Sequence, residues 1–260
     1  MSAVDTNLPL LRHGIRSWLR SWVLLIGWRL VELRLVLPVL VVLQGFMSVG
    51  AVVGVRLWFD TPPAGAGMFV TTGAATFALV TAGLVMAPQL VAYQRLRGMY
   101  DFQWSLPVPR SSLTAAALTA NLAIVTPALV ATIFIGAIVY DLNLSVTPSV
   151  VSAVLLTVGT AGLLGSALAY SVKNPRLVSV VSQTLIFAIF GFSPVLFPAA
   201  NLPDWLAAVH EVLPFASMAS VVRASLTHVD VGDLSRAYTV LAAWFTIGLA
   251  VTALAVGRRT

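Results

Sequence analysis

Six long runs without a charged residue constrain this chain more than any motif in it. No Asp, Glu, Lys or Arg occurs between Arg34 and Arg56, Asp60 and Arg95, Arg110 and Asp141, Asp141 and Lys173, Arg176 and Asp204, or Arg236 and Arg258. An α-helix needs about 20 apolar residues to cross about 30 Å of hydrocarbon, and every run is long enough. Charged residues make up 9% of the chain, against about 25% in globular domains. The expected fold is therefore an all-α polytopic membrane protein, one domain over residues 1–260, with six transmembrane helices. The spans are expected near Leu33–Trp58, Met68–Gln94, Leu113–Tyr140, Ser149–Val172, Leu177–Phe197 and Tyr238–Val256.

Ahead of the first span, residues 9–30 carry helical periodicity. Leu11, Ile15, Trp18 and Trp22 fall on one face and Arg12, Arg16 and Arg20 on another. This pattern suits an amphipathic helix in the membrane interface, with tryptophans at headgroup depth and arginines toward phosphate and water. Between spans five and six, residues 193–226 form two helical pieces too short to span. Pro203 and Asp204 suit a helix start and Pro214 forces a break. A re-entrant helical hairpin at one membrane surface is expected there. Ala161, Gly165 and Ala169 have the small-xxx-small spacing that permits close helix approach, a spacing equally expected of a helix merely rich in small residues.

Basic residues report orientation. With both termini inside, 12 of the 15 basic residues are cytoplasmic, leaving Arg56, Arg223 and Arg236 outside with six of the nine acids. The segment 95–112 then lies in the cytoplasm and the hairpin outside.

The composition also excludes chemistry. There is no cysteine, hence no disulfide, thiolate nucleophile or cysteine metal site. The single lysine, Lys173, lies in SVKNPR, so no P-loop exists. His13, His210 and His228 share no metal-ligand spacing, and Asp204 and Glu211 read as a wetted helix face rather than an acid–base pair. The net charge of +6 comes without a dense basic patch, which argues against nucleic acid. No ionisable group lies inside the six runs, as a proton path would require. An ATP-independent secondary carrier should show a buried carboxylate or inverted repeats, and an intramembrane enzyme clustered polar groups at depth; neither pattern appears.

Two motifs carry a family resemblance. Span two runs into Arg97-Gly98-Met99-Tyr100-Asp101, followed by Pro107-Val108-Pro109-Arg110. Span five runs into SPVLFPAANLPDWLAAVHEVLPFASMASVVRASL, with Pro198, Pro203, Trp205, Pro214 and Arg223 in order. With the amphipathic start and six-span pattern, the chain resembles the ABC-2 type transporter permeases, the membrane subunits of bacterial ABC exporters. It departs from the family pattern at Gln94, where Glu is common, and at Met99, where Thr is common.

The resemblance implies a permease without its own ATPase site, multi-pass in the bacterial cell membrane, with both termini cytoplasmic. It implies two ABC ATPase subunits that bind ATP and Mg, a second permease, identical or homologous, and export of a drug, lipid or lipid conjugate. Residues 95–112 would be the coupling segment that docks on the ATPase, through Arg95, Arg97, Gly98, Tyr100, Asp101, Phe102 and Trp104. The hairpin residues Pro198, Pro203, Trp205, Pro214 and Arg223 would form the extracellular gate. Arg12, Arg16, Trp18, Arg20 and Trp22 would brace the lipid leaflet.

Overall fold

The computed structural model describes residues 14–35, 37–59, 65–99, 102, 105–172, 174–229 and 231–257. The described residues form helices and connecting turns, with no strand among them. In chain order they are α1 (Ile15–Leu33), α2 (Leu37–Trp58), α3 (Ala66–Thr81), a π-turn (Ala82–Met86), α4 (Ala87–Leu96), α5 (Arg110–Tyr140), α6 (Ser149–Ser171), α7 (Pro175–Phe192), α8 (Asp204–Val212), α9 (Pro214–Leu226) and α10 (Leu234–Gly257). A 3₁₀ turn, Ala199–Asn201, precedes α8.

Successive long helices run in opposite directions, which gives the bundle two ends. One end holds the 97–109 connection, whose described residues 99, 102 and 105 are helical, and is called the loop end. The other holds the bent α8–α9 pair and is called the hairpin end after the segment expected there. Five stretches among the described residues are long and apolar enough to cross a membrane: Leu37–Trp58, Ala66–Leu96, Ser111–Tyr140, Ser149–Ser171 and Leu234–Leu254.

The expected fifth span needs correction. Its helix ends at Phe192 rather than at residue 197, and it is the shorter apolar helix that falls below the length of the other five. Ser193 breaks it in extended conformation, and Pro198 lies beyond in a non-helical run. The α8–α9 pair bends by 78° at a single residue. Pro214 opens α9, where its missing N–H costs nothing. Span two extends past Gln94 to Leu96. The N-terminal helix runs to Leu33 rather than to residue 30, and its expected residues 9–13 lie outside the described residues.

The core sits around α3 and its π-turn. In the 66–96 stretch, 83% of the most apolar window is buried, against 17% for α2 and 22% for α10. The residue types explain this. Gly73, Ala74, Ala75, Ala78, Ala82 and Gly83 line the stretch. In a bilayer lipid is as apolar as leucine, so helices associate through close packing and hydrogen bonds, and small residues permit both.

The contact of the π-turn with α6 shows how close this approach is. A Cβ on Gly83 would stand 2.5 Å from the Ala161 backbone, and one on Gly165 would run into the Gly83 carbonyl. The small-xxx-small spacing of α6 is thus a contact surface, with Ala161 and Ala169 fully buried. Pro88 follows the π-turn and lacks an N–H for the helix ladder. Local π geometry absorbs such a residue.

Polar bonds stitch the same region. Gln44 Nε2 donates to the Ala78 carbonyl at 2.7 Å, Ser48 Oγ to the Gln44 carbonyl at 3.0 Å, and Thr132 Oγ1 to Ser48 Oγ at 2.7 Å. These bonds tie α2, α3 and α5 together.

Candidate functional site

Each end of the bundle carries a buried arginine, and the two are held differently. At the hairpin end, Arg223 lies on the inner face of α9, 5% exposed. Its Nε donates to Thr72 Oγ1 at 3.0 Å and its Nη2 to the Val195 carbonyl at 2.9 Å. The guanidinium sits 4.1 Å over the Phe69 ring. Thr72 in turn donates its hydroxyl proton to the Met68 carbonyl at 2.8 Å, which turns its lone pairs toward Arg223. One side chain thus ties α9, the 193–196 turn and α3.

The turn lies against α3 so closely that a Cβ at Gly73 would run into the Val195 carbonyl. Further bonds secure the hairpin. Thr147 N–H donates to the Ser225 carbonyl at 2.9 Å and Ser145 N–H to the Leu226 carbonyl at 3.0 Å, satisfying the last turn of α9. Trp244 Nε1 donates to the Val212 carbonyl at 2.7 Å, and Arg236 pairs with Glu211 at 2.8 Å on the surface. Of the expected gate residues, Pro214 and Arg223 are buried, whereas Pro198, Pro203 and Trp205 face outward. Trp205 is 69% exposed, apart from the arginine cluster.

At the loop end, α1 packs along α5 and reaches α4 through Glu32 and Gln94. Trp18 Nε1 donates to Ser111 Oγ at 2.9 Å and Trp22 Nε1 to Thr119 Oγ1 at 3.3 Å, with the two indoles stacked at 6.1 Å. The tryptophan polar tips therefore engage protein hydroxyls, a placement that helical periodicity could not distinguish from headgroup contact. Arg16 and Arg20 face outward, and Arg12 lies outside the described residues.

Farther along α1, Trp28 meets Phe102 edge-on at 5.9 Å. Glu32 accepts from Gln94 Nε2 at 3.4 and 3.5 Å. Arg29 is 9% exposed, and its Nη1 has no hydrogen-bond partner among the described residues. Burial pulls the Arg29 guanidinium below its usual pKa, opposed first by Glu32 and then by Tyr170.

The expected coupling residues divide here. Arg95 Nη1 turns inward, donating to the carbonyls of Ala169 at 2.6 Å and Val172 at 3.2 Å, and its guanidinium lies 5.5 Å from the Tyr170 ring. Arg97 stacks 4.4 Å over Tyr93. Gly98 holds φ at +70°, where L side chains are strained, and so ends α4. Phe102 is 56% exposed. Tyr100, Asp101 and Trp104 lie outside the described residues. Sequence reasoning missed Arg29 and Glu32. The available signal was Glu32 itself, an acid three positions after Arg29 and just ahead of an uncharged run.

No group of three or more His, Cys, Asp or Glu residues in a metal-holding arrangement occurs among the described residues. Antiparallel apolar helices around a small-residue core, closed by polar clusters at the ends, define a multi-pass membrane protein. A sequence model of the family described as "ABC-2 type transporter" matches residues 9–227, and the chain belongs to that family. No curated protein matches the chain.

Proposed function

We propose that the chain is the membrane subunit of an ATP-driven exporter, working with two separate ATPase subunits and a second permease. In this reading the loop end is cytoplasmic, the hairpin end extracellular, and α7 the sixth, short span of a bacterial cell-membrane protein. Eighteen residues in α7 reach about 27 Å at 1.5 Å per residue, close to the hydrocarbon thickness. The core is apolar and the interior runs carry no charge, which favours an amphipathic or lipid-like cargo. ATP and Mg bind the partner.

The observation that carries the reading is the 97–109 loop. Gly98 turns the chain out of α4, Phe102 presents an exposed ring, and Trp28 of α1 backs that ring. Arg97 and Phe102 are the cationic and aromatic types that anchor interfaces. The hairpin at the opposite end, pinned by Arg223, serves as the exit gate. The α1 helix, with Arg16 and Arg20 outward, braces the cytoplasmic leaflet.

Docking is tested by the double substitution Arg97→Glu and Phe102→Ala. Loss of an aromatic hot spot costs about 2 kcal/mol or more, and charge reversal adds repulsion. Affinity for the ATPase should fall by roughly thirtyfold or more, with membrane insertion unchanged. Wild-type co-purification and wild-type transport in this variant remove the assignment.

A further inference from the structure

Glu32 is bonded to one partner, Gln94, and stands one helical turn from a second, Arg29. Its bonds to Gln94 Nε2, at 3.4 and 3.5 Å, are long, well beyond the usual 2.7–3.2 Å range for N–H···O. Arg29, one helical turn earlier on the same face, is more than nine-tenths buried and keeps Nη1 without a partner among the described residues. A buried unsatisfied donor carries its full desolvation cost, larger still for a charged group. An Arg–carboxylate pair is a short, charge-assisted contact, and a rotation of the Glu32 side chain can make it.

The two partners lie on different elements. Gln94 is on α4, 1% exposed and four residues ahead of the turn at Gly98. Arg29 is on α1 itself. The bond to Gln94 therefore clamps one helix to another, whereas a bond to Arg29 is internal to α1. The surroundings fit such a choice. Arg95, next to Gln94, is committed to the carbonyls of Ala169 in α6 and of Val172 just beyond it. Trp28, next to Arg29, rests on Phe102 of the loop.

We propose that Glu32 is a two-position clamp: bonded to Gln94 it holds α1 against α4, and paired with Arg29 it frees α4 and the loop to move. Glu32 and Arg29 are positioning residues, acting on transport through the loop. This rests on the exporter reading above only for its link to transport. The switch itself is a property of the chain.

The test uses the full chain in lipid nanodiscs, with spin labels on cysteines replacing Val31 and Leu96, both exposed, at 61% and 71%. The absence of native cysteine makes the labelling specific. Two α1–α4 distances are expected. Arg29→Met removes the alternative partner and should shift the ratio toward the shorter distance by about fivefold or more. Gln94→Leu removes the clamp and should shift it equally toward the longer one. Adding Glu32→Leu to Arg29→Met removes the acceptor for Gln94 and should restore the longer population, a suppression that a purely structural Arg29 would not allow.

With the ATPase present, Arg29→Met should lower cargo moved per ATP, and Arg29→Lys should retain part of it. Identical distance distributions in wild type, Arg29→Met and Gln94→Leu overturn the clamp. Distances that shift as stated, in a protein whose transport does not depend on ATP, keep the clamp and remove the exporter reading.

Discussion

The two buried arginines of this protein have opposite settings. Arg223 at the hairpin end has a hydroxyl, a carbonyl and an aromatic face around it. Arg29 at the loop end has a nitrogen without a partner among the described residues and a carboxylate turned to another residue. A buried charge that is fully bonded fixes a geometry; one that is half-bonded leaves a second geometry close in energy. The hairpin end is thus built to hold one arrangement and the loop end to exchange two.

The contrast breaks first at Arg223. Arg223→Met deletes two charge-assisted bonds, each of about 1.5–3 kcal/mol, while returning some desolvation cost. A net destabilisation of about 3 kcal/mol is expected in unfolding of the detergent-purified protein. A change below about 0.5 kcal/mol would place Arg223 with Arg29 and erase the difference.

Next in size is Gly73→Ala. Its Cβ would run into the Val195 carbonyl, a backbone atom that no rotamer change can move. Overpacking of this kind costs about 1–3 kcal/mol, and the 193–196 turn should lift from α3. Increased proteolysis at that turn in the variant would report the movement, and wild-type protection would show that the turn yields without cost.

The smallest effect belongs to Arg29→Met. Replacing an incompletely satisfied buried charge by an apolar side chain is often neutral or stabilising. Stability should stay within about 1 kcal/mol of wild type, toward stabilisation, even as α1–α4 motion is lost. A loss comparable to that of Arg223→Met, read by the same unfolding assay, would mean that Arg29 is as fully held as Arg223.

Much of this architecture was legible beforehand. Absence of charge over 20 or more residues leaves a chain few places except a bilayer, because helices alone satisfy backbone groups there. The long helices accordingly begin and end near the charged residues that bound the runs. Pro203, Asp204 and Pro214 set the limits of α8, since proline acts locally through a missing N–H and a fixed φ. Span five was less legible. Its apolar run continues to residue 203, and only the extended backbone at Ser193 stops the helix at Phe192.

Side-chain partners were harder still. Trp18 and Trp22 have the spacing of an interfacial anchor, yet their N–H groups meet Ser111 and Thr119, about a hundred residues away in sequence. Gln44, Gln89, Asn121 and Gln183 are alike as polar residues in or near spans. Gln44 finds the Ala78 carbonyl, whereas Gln183 faces outward.

By itself, then, the sequence determined the class, most of the helices, the breaks at proline and the family pattern. Those depend on hydropathy, proline and glycine, which act over a few residues. Tertiary structure alone decided that Arg223 is bonded through Nε and Nη2 whereas Arg29 Nη1 has no partner among the described residues. Whether a buried guanidinium is bonded depends on which carbonyls and hydroxyls distant helices bring within about 3 Å. Thr72 lies 151 residues from Arg223 in the chain, and no local pattern encodes their meeting.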